Sequence, residues 1–228
     1  MNIRNIFQSL LAITIGTSAA HSGAAVPDTN LQNLMVVLRE SEGENKKDVV
    51  LKSMGSAKAT LADGKEVEMS FAWFSVIGDM HVRFVYDSPT SMRNLTSEEF
   101  AALKLTPDKA LQIAVGNIKR VYGQPKVSPW QGGLMLVAGE SPDLDSSYFL
   151  DSSFWQNLLK KYPSGVIVGV PKRGGLLFAP ASDDKAVAGL RQGIRALFIS
   201  SENMRVSSAL YLFKNNRWSV FQDPQPQP

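Results

Sequence analysis

The chain has 228 residues, with 24 basic and 21 acidic side chains, a net charge of +3, 44% hydrophobic residues and no cysteine. So even a balance, with the basic residues scattered rather than striped along one element, argues against a nucleic-acid surface. The absence of thiols excludes a disulfide scaffold, so stability must come from a hydrophobic core, which a chain of this length can build.

The first two dozen residues differ from the rest. A single charge at Arg4 precedes an apolar stretch through Leu10, Leu11, Ile13 and Ile15, and then the small-residue run TSAAHSGAA. That order is the layout of a secretory signal peptide over residues 1–24. Ser22 and Ala24 meet the small-x-small cleavage rule, which puts the mature start near Ala25, with Ala20 and Ser22 an alternative pair. The apolar stretch falls short of the roughly 20 residues that span a bilayer, and no later segment reaches that length. The expectation is therefore a periplasmic or secreted protein with no transmembrane segment in the mature chain. Removing the leader takes away only Arg4 among the charges and leaves His81 as the one remaining histidine.

Leu31, Leu34, Met35 and Leu38 recur at i, i+3, i+4 and i+7, the pattern of a short helix that Asp28 or Thr29 would cap. The charged run ESEGENKKD ends it. VVLKSM, EVEMSFAWFSVIGD and HVRFVYD read as consecutive antiparallel strands, and ADGK at 62–65 marks a hairpin turn. Thr96 with Glu99 forms a capping box, and Thr106 followed by Pro107 pairs a cap with a first-turn proline, so two helices follow. The second carries Leu111, Ala114, Ile118 and Val121 on one face and stops at Gly123.

GQPKVSPWQGG, residues 123–133, reads as a linker between an N-terminal α+β lobe (25–122) and a C-terminal one (134–222). In the second lobe LMLVAG is a strand, SPDLDSSYFLD a loop, and SSFWQNLLKKY a helix with Phe154, Leu158 and Tyr162 inward. VIVGV and LLFA flank PKRGG as a central hairpin buried on both faces. Val187, Leu190, Ile194 and Leu197 define another helix, and SALYLFKNNRWSVF a closing hairpin with Asn215 and Asn216 at positive φ. The tail 223–228, DPQPQP, has nothing to bury and is expected to be disordered. Mostly local strand pairing with interspersed helices gives an α+β fold, as a single domain or two closely packed lobes.

Candidate chemistry centres on GDMHVRFVYD, residues 78–87. On a strand, Met80, Val82, Phe84 and Tyr86 face one way and Asp79, His81, Arg83 and Asp87 the other. One reading makes His81 a general base oriented by Asp79 or Asp87, with Arg83 holding an anion; the other leaves these groups on the wet side of a strand. Zinc is not expected, because structural and catalytic sites draw on several Cys or His ligands.

Ser182 and Lys185 match the S-x-x-K nucleophile pattern of serine β-lactamases and penicillin-binding proteins, although K-T-G is missing and Ser182 also stands at a helix-cap position. Asp143, Asp145 and Ser147 begin like a calcium loop but lack its glycine and closing glutamate, with Tyr148 and Phe154 in those places. An Asx-rich loop ending in a cap at Asp151 or Ser152 is the simpler reading. Lys172, Arg173, Gly174 and Gly175 present two cations on a hairpin turn without a P-loop signature.

The succession VRFVYDSPTSMRNLTSEEF, ALQIAVGNIKR and SGVIVGVPKRGGLLFAP resembles the YtpQ-like family, a bacterial group of proteins of unknown function, over about residues 30–221. The likeness rests on Pro171-Lys-Arg173 and the helix containing Asn117; Gly174 stands where the family commonly has an acidic residue. It implies a fold relationship and an exported branch of a group whose members are often cytoplasmic. The expected function is non-enzymatic binding of an envelope partner or of a small anionic ligand near Arg83, Arg173 and Lys172, with no cofactor. The rivals are a cell-envelope hydrolase using Ser182 and Lys185, or His81 with Asp79 or Asp87, and a scaffold role.

Overall fold

The computed structural model describes residues 30–60 and 63–225. The leader at 1–24 and the caps Asp28 and Thr29 lie outside the described residues. The first half contains β1 (Leu34–Glu40), β2 (Lys52–Ser53), β3 (Ser56–Thr60), β4 (Glu66–Ser70), β5 (Trp73–Ser75), β6 (Met80–Asp87), β7 (Met92–Asn94), α1 (Ser97–Ala102) and α2 (Pro107–Tyr122). The second contains β8 (Lys126–Pro129), β9 (Met135–Ala138), α3 (Ser152–Leu159), β10 (Val166–Gly169), β11 (Leu176–Pro180), α4 (Asp184–Ser200), β12 (Leu210–Lys214) and β13 (Arg217–Gln222). One sheet runs β1-β6-β5-β2, with β7 also on β6; the other runs β13-β12-β10-β11-β9-β8; β3 and β4 pair as a hairpin. All these pairings are antiparallel, and the fold is α+β.

The helix expected from Leu31 to Leu38 is instead a short 3-10 turn, Leu31–Asn33, leading into β1. Val36 and Val37 fill the gaps in the helical stripe, so LMVVL is apolar on both faces, and all five residues are buried. Such a run suits a strand covered on both sides, and the pairing of Leu34 with Tyr86 through Glu40 with Met80 decides it. As an edge strand β1 exposes backbone acceptors, which side chains cover. Asn117 Nδ2 donates to Leu31 O (2.7 Å) and Leu34 O (2.9 Å), and Ser147 Oγ to Val36 O (2.7 Å).

The cap signals place the helices. The Thr96–Glu99 box is complete at α1; Thr106 caps α2 ahead of Pro107; Gly123 ends α2 at φ 82°. The buried face of α2 is turned from the expected one: Ala110, Ala114, Val115, Asn117 and Ile118 are inside, while Val121 is exposed. In α3, capped by Asp151, Trp155 rather than its neighbours is fully buried, donating through Nε1 to Tyr148 O and Phe149 O.

The linker expected at 123–133 contains β8, which pairs with β9, so this stretch is part of the second sheet. The hairpin of β10 and β11 is buried on both faces, as its composition requires. Ile167, Leu177 and Ala179 meet Leu190 and Ile194 of α4. Val166, Val168 and Phe178 join Trp155, Tyr211 and Phe213 in one core that continues into the first sheet through Val36, Val82 and Phe84. Asn215 and Asn216 turn the last hairpin at φ 52° and 57°. Of the tail expected to be disordered, Gln225 is held: its N–H donates to Ser208 Oγ (2.9 Å) and its side-chain oxygen accepts from Arg195 (2.9 Å). Backbone and side-chain bonds thus supply what its composition does not, as far as residue 225.

Among the described residues no helix is long and apolar enough to cross a membrane.

Candidate functional site

Strand pairing assembles the site. On β1, Arg39 lies opposite His81 and Val37 opposite Arg83; on β5, Ser75 lies opposite His81 and Trp73 opposite Arg83. Directly paired residues point the same way, so Arg39, His81, Arg83 and Trp73 share one face of the sheet. That face is not the wet one expected. With strands on both edges of β6 and both faces covered, His81 is only 4% exposed and Arg83 half-buried.

His81 is bonded at both ring nitrogens. Arg83 Nε, which can only donate, gives its hydrogen to His81 Nε2 at 3.0 Å, so the ring proton sits on Nδ1 and is donated to Ser41 Oγ at 2.9 Å. Burial first, then the positive charges of Arg83 and Arg39, push the imidazole down to about 3, against the backbone of Glu40, which raises it. His81 is therefore neutral across physiological pH, and its one basic nitrogen is occupied. It orients Arg83 instead of accepting a proton from a substrate. The guanidinium of Arg83 also lies 5.1 Å from the ring centre of Trp73 and 5.9 Å from that of Phe71.

Arg39, which sequence reasoning missed, is the third member. Burial, then the charges of Arg173 and Arg83, lower its pKa to about 10, with Asp143 opposing. Its Nη1 donates to Leu38 O at 3.0 Å. Arg173, on the loop between β10 and β11, pairs through Nη1 with Asp143 Oδ1 at 3.2 Å and places Nη2 on Met204 Sδ. Its backbone oxygen accepts from Ser146 N at 2.8 Å, and both segments so joined carry a buried polar atom without a partner, Arg173 Nε and Ser146 Oγ. Arg39 thus lies within electrostatic reach of both Arg83 and Arg173, and Asp143, the partner of Arg173, opposes their charge on it. Reading residues 34–40 as a strand antiparallel to β6 would have brought Arg39 in; its assignment to a helix hid it.

The carboxylates expected to serve His81 go elsewhere. Asp79 precedes β6 and accepts from Tyr211 Oη (3.0 Å), from Ser207 Oγ and from Ser208 N (3.4 Å), joining the two sheets. It is 3% exposed, and burial raises its pKa while these hydrogen bonds lower it. Gly78 at φ 69° makes room: a Cβ there would lie 2.3 Å from Tyr211 Oη. Asp87 accepts from Tyr122 Oη at 2.6 Å, which pushes that phenol up to about 12.

Ser182 and Lys185 are both exposed, whereas a lysine that activates a serine needs shielding from water, and Asp183 rather than Ser182 caps α4, accepting from Ala186 N. Asp145 accepts from Ser141 N at 3.2 Å, within the Asx-rich loop, while Asp143 serves Arg173. Lys172 is exposed beside Arg173, and among the described residues its side chain makes no hydrogen bond or ion pair to the cluster. No known protein family, curated protein or solved structure matches this chain.

Proposed function

We propose that the protein is an exported, non-catalytic binding protein whose ligand is a small anion held by Arg39, Arg83 and Arg173. The observation that carries this is the partly buried Arg39 guanidinium, which lies under the positive charge of both Arg83 and Arg173 and is opposed by Asp143, a carboxylate already paired with Arg173. Burying like charges is costly, and an anionic ligand is the partner that offsets it. His81 supports the reading, since it fixes Arg83 by its Nε and leaves the two terminal nitrogens of that side chain for a bidentate contact with carboxylate or phosphate. The unpartnered Arg173 Nε and Ser146 Oγ add two donors.

Export and membership of the YtpQ-like family belong to the same proposal. The leader-like composition of residues 1–24 supports the first. The motifs around Arg83, Asn117 and Arg173 support the second. Amino-terminal sequencing of protein recovered from the periplasm or medium, starting near Ala25, tests export.

Calorimetric titration with phosphate, sulfate and citrate tests the site. Saturable binding of at least one, weakened at least tenfold by Arg83→Met and by Arg39→Met, is expected. Absence of saturation for all three, or binding indifferent to both substitutions, overturns the assignment.

A further inference from the structure

A hollow of about 390 Å³, lined by none of the three arginines, falls within the size range of small-molecule sites. Five segments form it: the loop between β1 and β2, the turn between β5 and β6, the first turns of α2, the entry to α3, and the β12–β13 hairpin. Its apolar wall includes Val50, Leu51, Leu111, Phe149, Phe213 and Trp218. Phe149 and Trp218 stack with ring centres 4.1 Å apart, and Phe213 lies 4.7 Å from Trp218, so the partly exposed indole stands on buried aromatic rings. Val50 is 60% exposed, an apolar residue that the fold itself leaves uncovered at the rim.

The charges around this hollow choose its occupant. Asp48 is compensated by Lys46 at 3.3 Å and Lys52 at 3.9 Å, and it accepts from Val50 N at 3.1 Å. Asp108 sits in the first turn of α2, against the positive end of that helix. Arg217 is exposed and forms no ion pair among the described residues. Arg217 is thus the one cation among the described residues lining the hollow, while its two acids, Asp48 and Asp108, are each set against positive charge, from two lysines and from the helix end.

We propose that the hollow binds an amphipathic organic anion, with its hydrocarbon or aryl body on Trp218 and Val50 and its carboxylate on Arg217. This site is independent of the arginine cluster and does not rest on the function proposed for it.

Decanoate, decanol and decylamine, titrated into the purified protein with calorimetric detection, test the assignment. Decanoate is expected to bind saturably and more tightly than either of the others. Arg217→Gln should weaken decanoate about tenfold, the effect of one charge-assisted contact, and leave decanol unchanged. Val50→Asp, at an exposed position that does not bear on folding, should weaken both. Unsaturable decanoate binding, equal affinity for decylamine, or indifference to Arg217→Gln would overturn the proposal. So would loss of decanoate binding in Arg83→Met with Arg217→Gln unaffected, which would assign the anion to the arginine cluster.

Discussion

Replacing His81 with glutamine isolates what it costs to keep an imidazole buried beside two arginines. The glutamine carbonyl can accept from Arg83 Nε and its amide can donate to Ser41 Oγ, so the bonds at 3.0 and 2.9 Å have counterparts while the titrating group is gone. In the folded protein the imidazole titrates at about 3, against 6.5 for an ordinary histidine, with burial the main cause and Arg83 and Arg39 next. Below pH 6.5 the unfolded chain therefore takes up a proton that the folded chain refuses. The stability associated with neutral His81 is complete above pH 6.5 and is lost as pH falls towards 3. Each pH unit in that window costs about 1.4 kcal/mol, or about 3 kcal/mol between pH 6.5 and pH 4.

Asp79, whose pKa is raised by burial, acts in the opposite sense as pH falls, but it is present in both proteins and cancels in the difference. Urea unfolding of both proteins at pH 7, 6, 5 and 4 measures that difference. At pH 7 the variant should be equal to the native protein or less stable by about 1 kcal/mol, the worth of one imperfect hydrogen bond. At pH 4 the balance should have moved by about 3 kcal/mol in the variant's favour. Parallel stability curves would show that His81 is neither buried nor neutral in the way the geometry requires.

Two further substitutions probe the packing that frames the sites. In Gly169→Ala the new Cβ would lie 2.3 Å from both Cδ1 and Cγ1 of Ile194, so that side chain, or α4 with it, must shift; thermal melts should show a loss of about 1–3 kcal/mol that Ile194→Ala partly restores. Asn117→Ala removes both hydrogen bonds from Nδ2 that tie the start of β1 and the turn before it to α2, at 2.9 and 2.7 Å, and should cost about 2 kcal/mol in urea unfolding, with faster amide exchange in β1 than in β10. Uniform exchange across both strands would mean that the edge of β1 is held by something else.

The elements legible in the sequence are those whose cause lies within a few residues. Thr96 and Glu99 cap each other, Pro107 follows its cap, Asp151 starts α3, and Asn215 and Asn216 turn a hairpin. The continuous apolar runs of β10 and β11 were readable for a related reason, because burial on both faces leaves no alternation. β1 carries the same signature, but Leu31, Leu34, Met35 and Leu38 also satisfy a helical template. Only pairing with β6, more than forty residues later, separates the two.

The candidate site divides along the same line. Arg83 and Arg173 stand out as cations in motifs, yet Arg39 and Ser41 join them only through strand register and the loop that follows β1. Alternation along β6 correctly sends His81 and Arg83 to one face. It says nothing of what covers that face, and it wrongly enlists Asp79, which the neighbouring turn delivers to Ser207 and Tyr211.

By itself, then, the sequence determined the α+β class, most helix starts, the buried hairpin and the lack of any thiol on which to build. The tertiary structure alone decided that β1 is a strand, that His81 is a buried neutral acceptor, and that Arg39 lies under the charges of both Arg83 and Arg173. Caps, turns and apolar runs act through bonds a few residues long, whereas ionisation and charge pairing depend on burial and on neighbours that strand register supplies from distant parts of the chain.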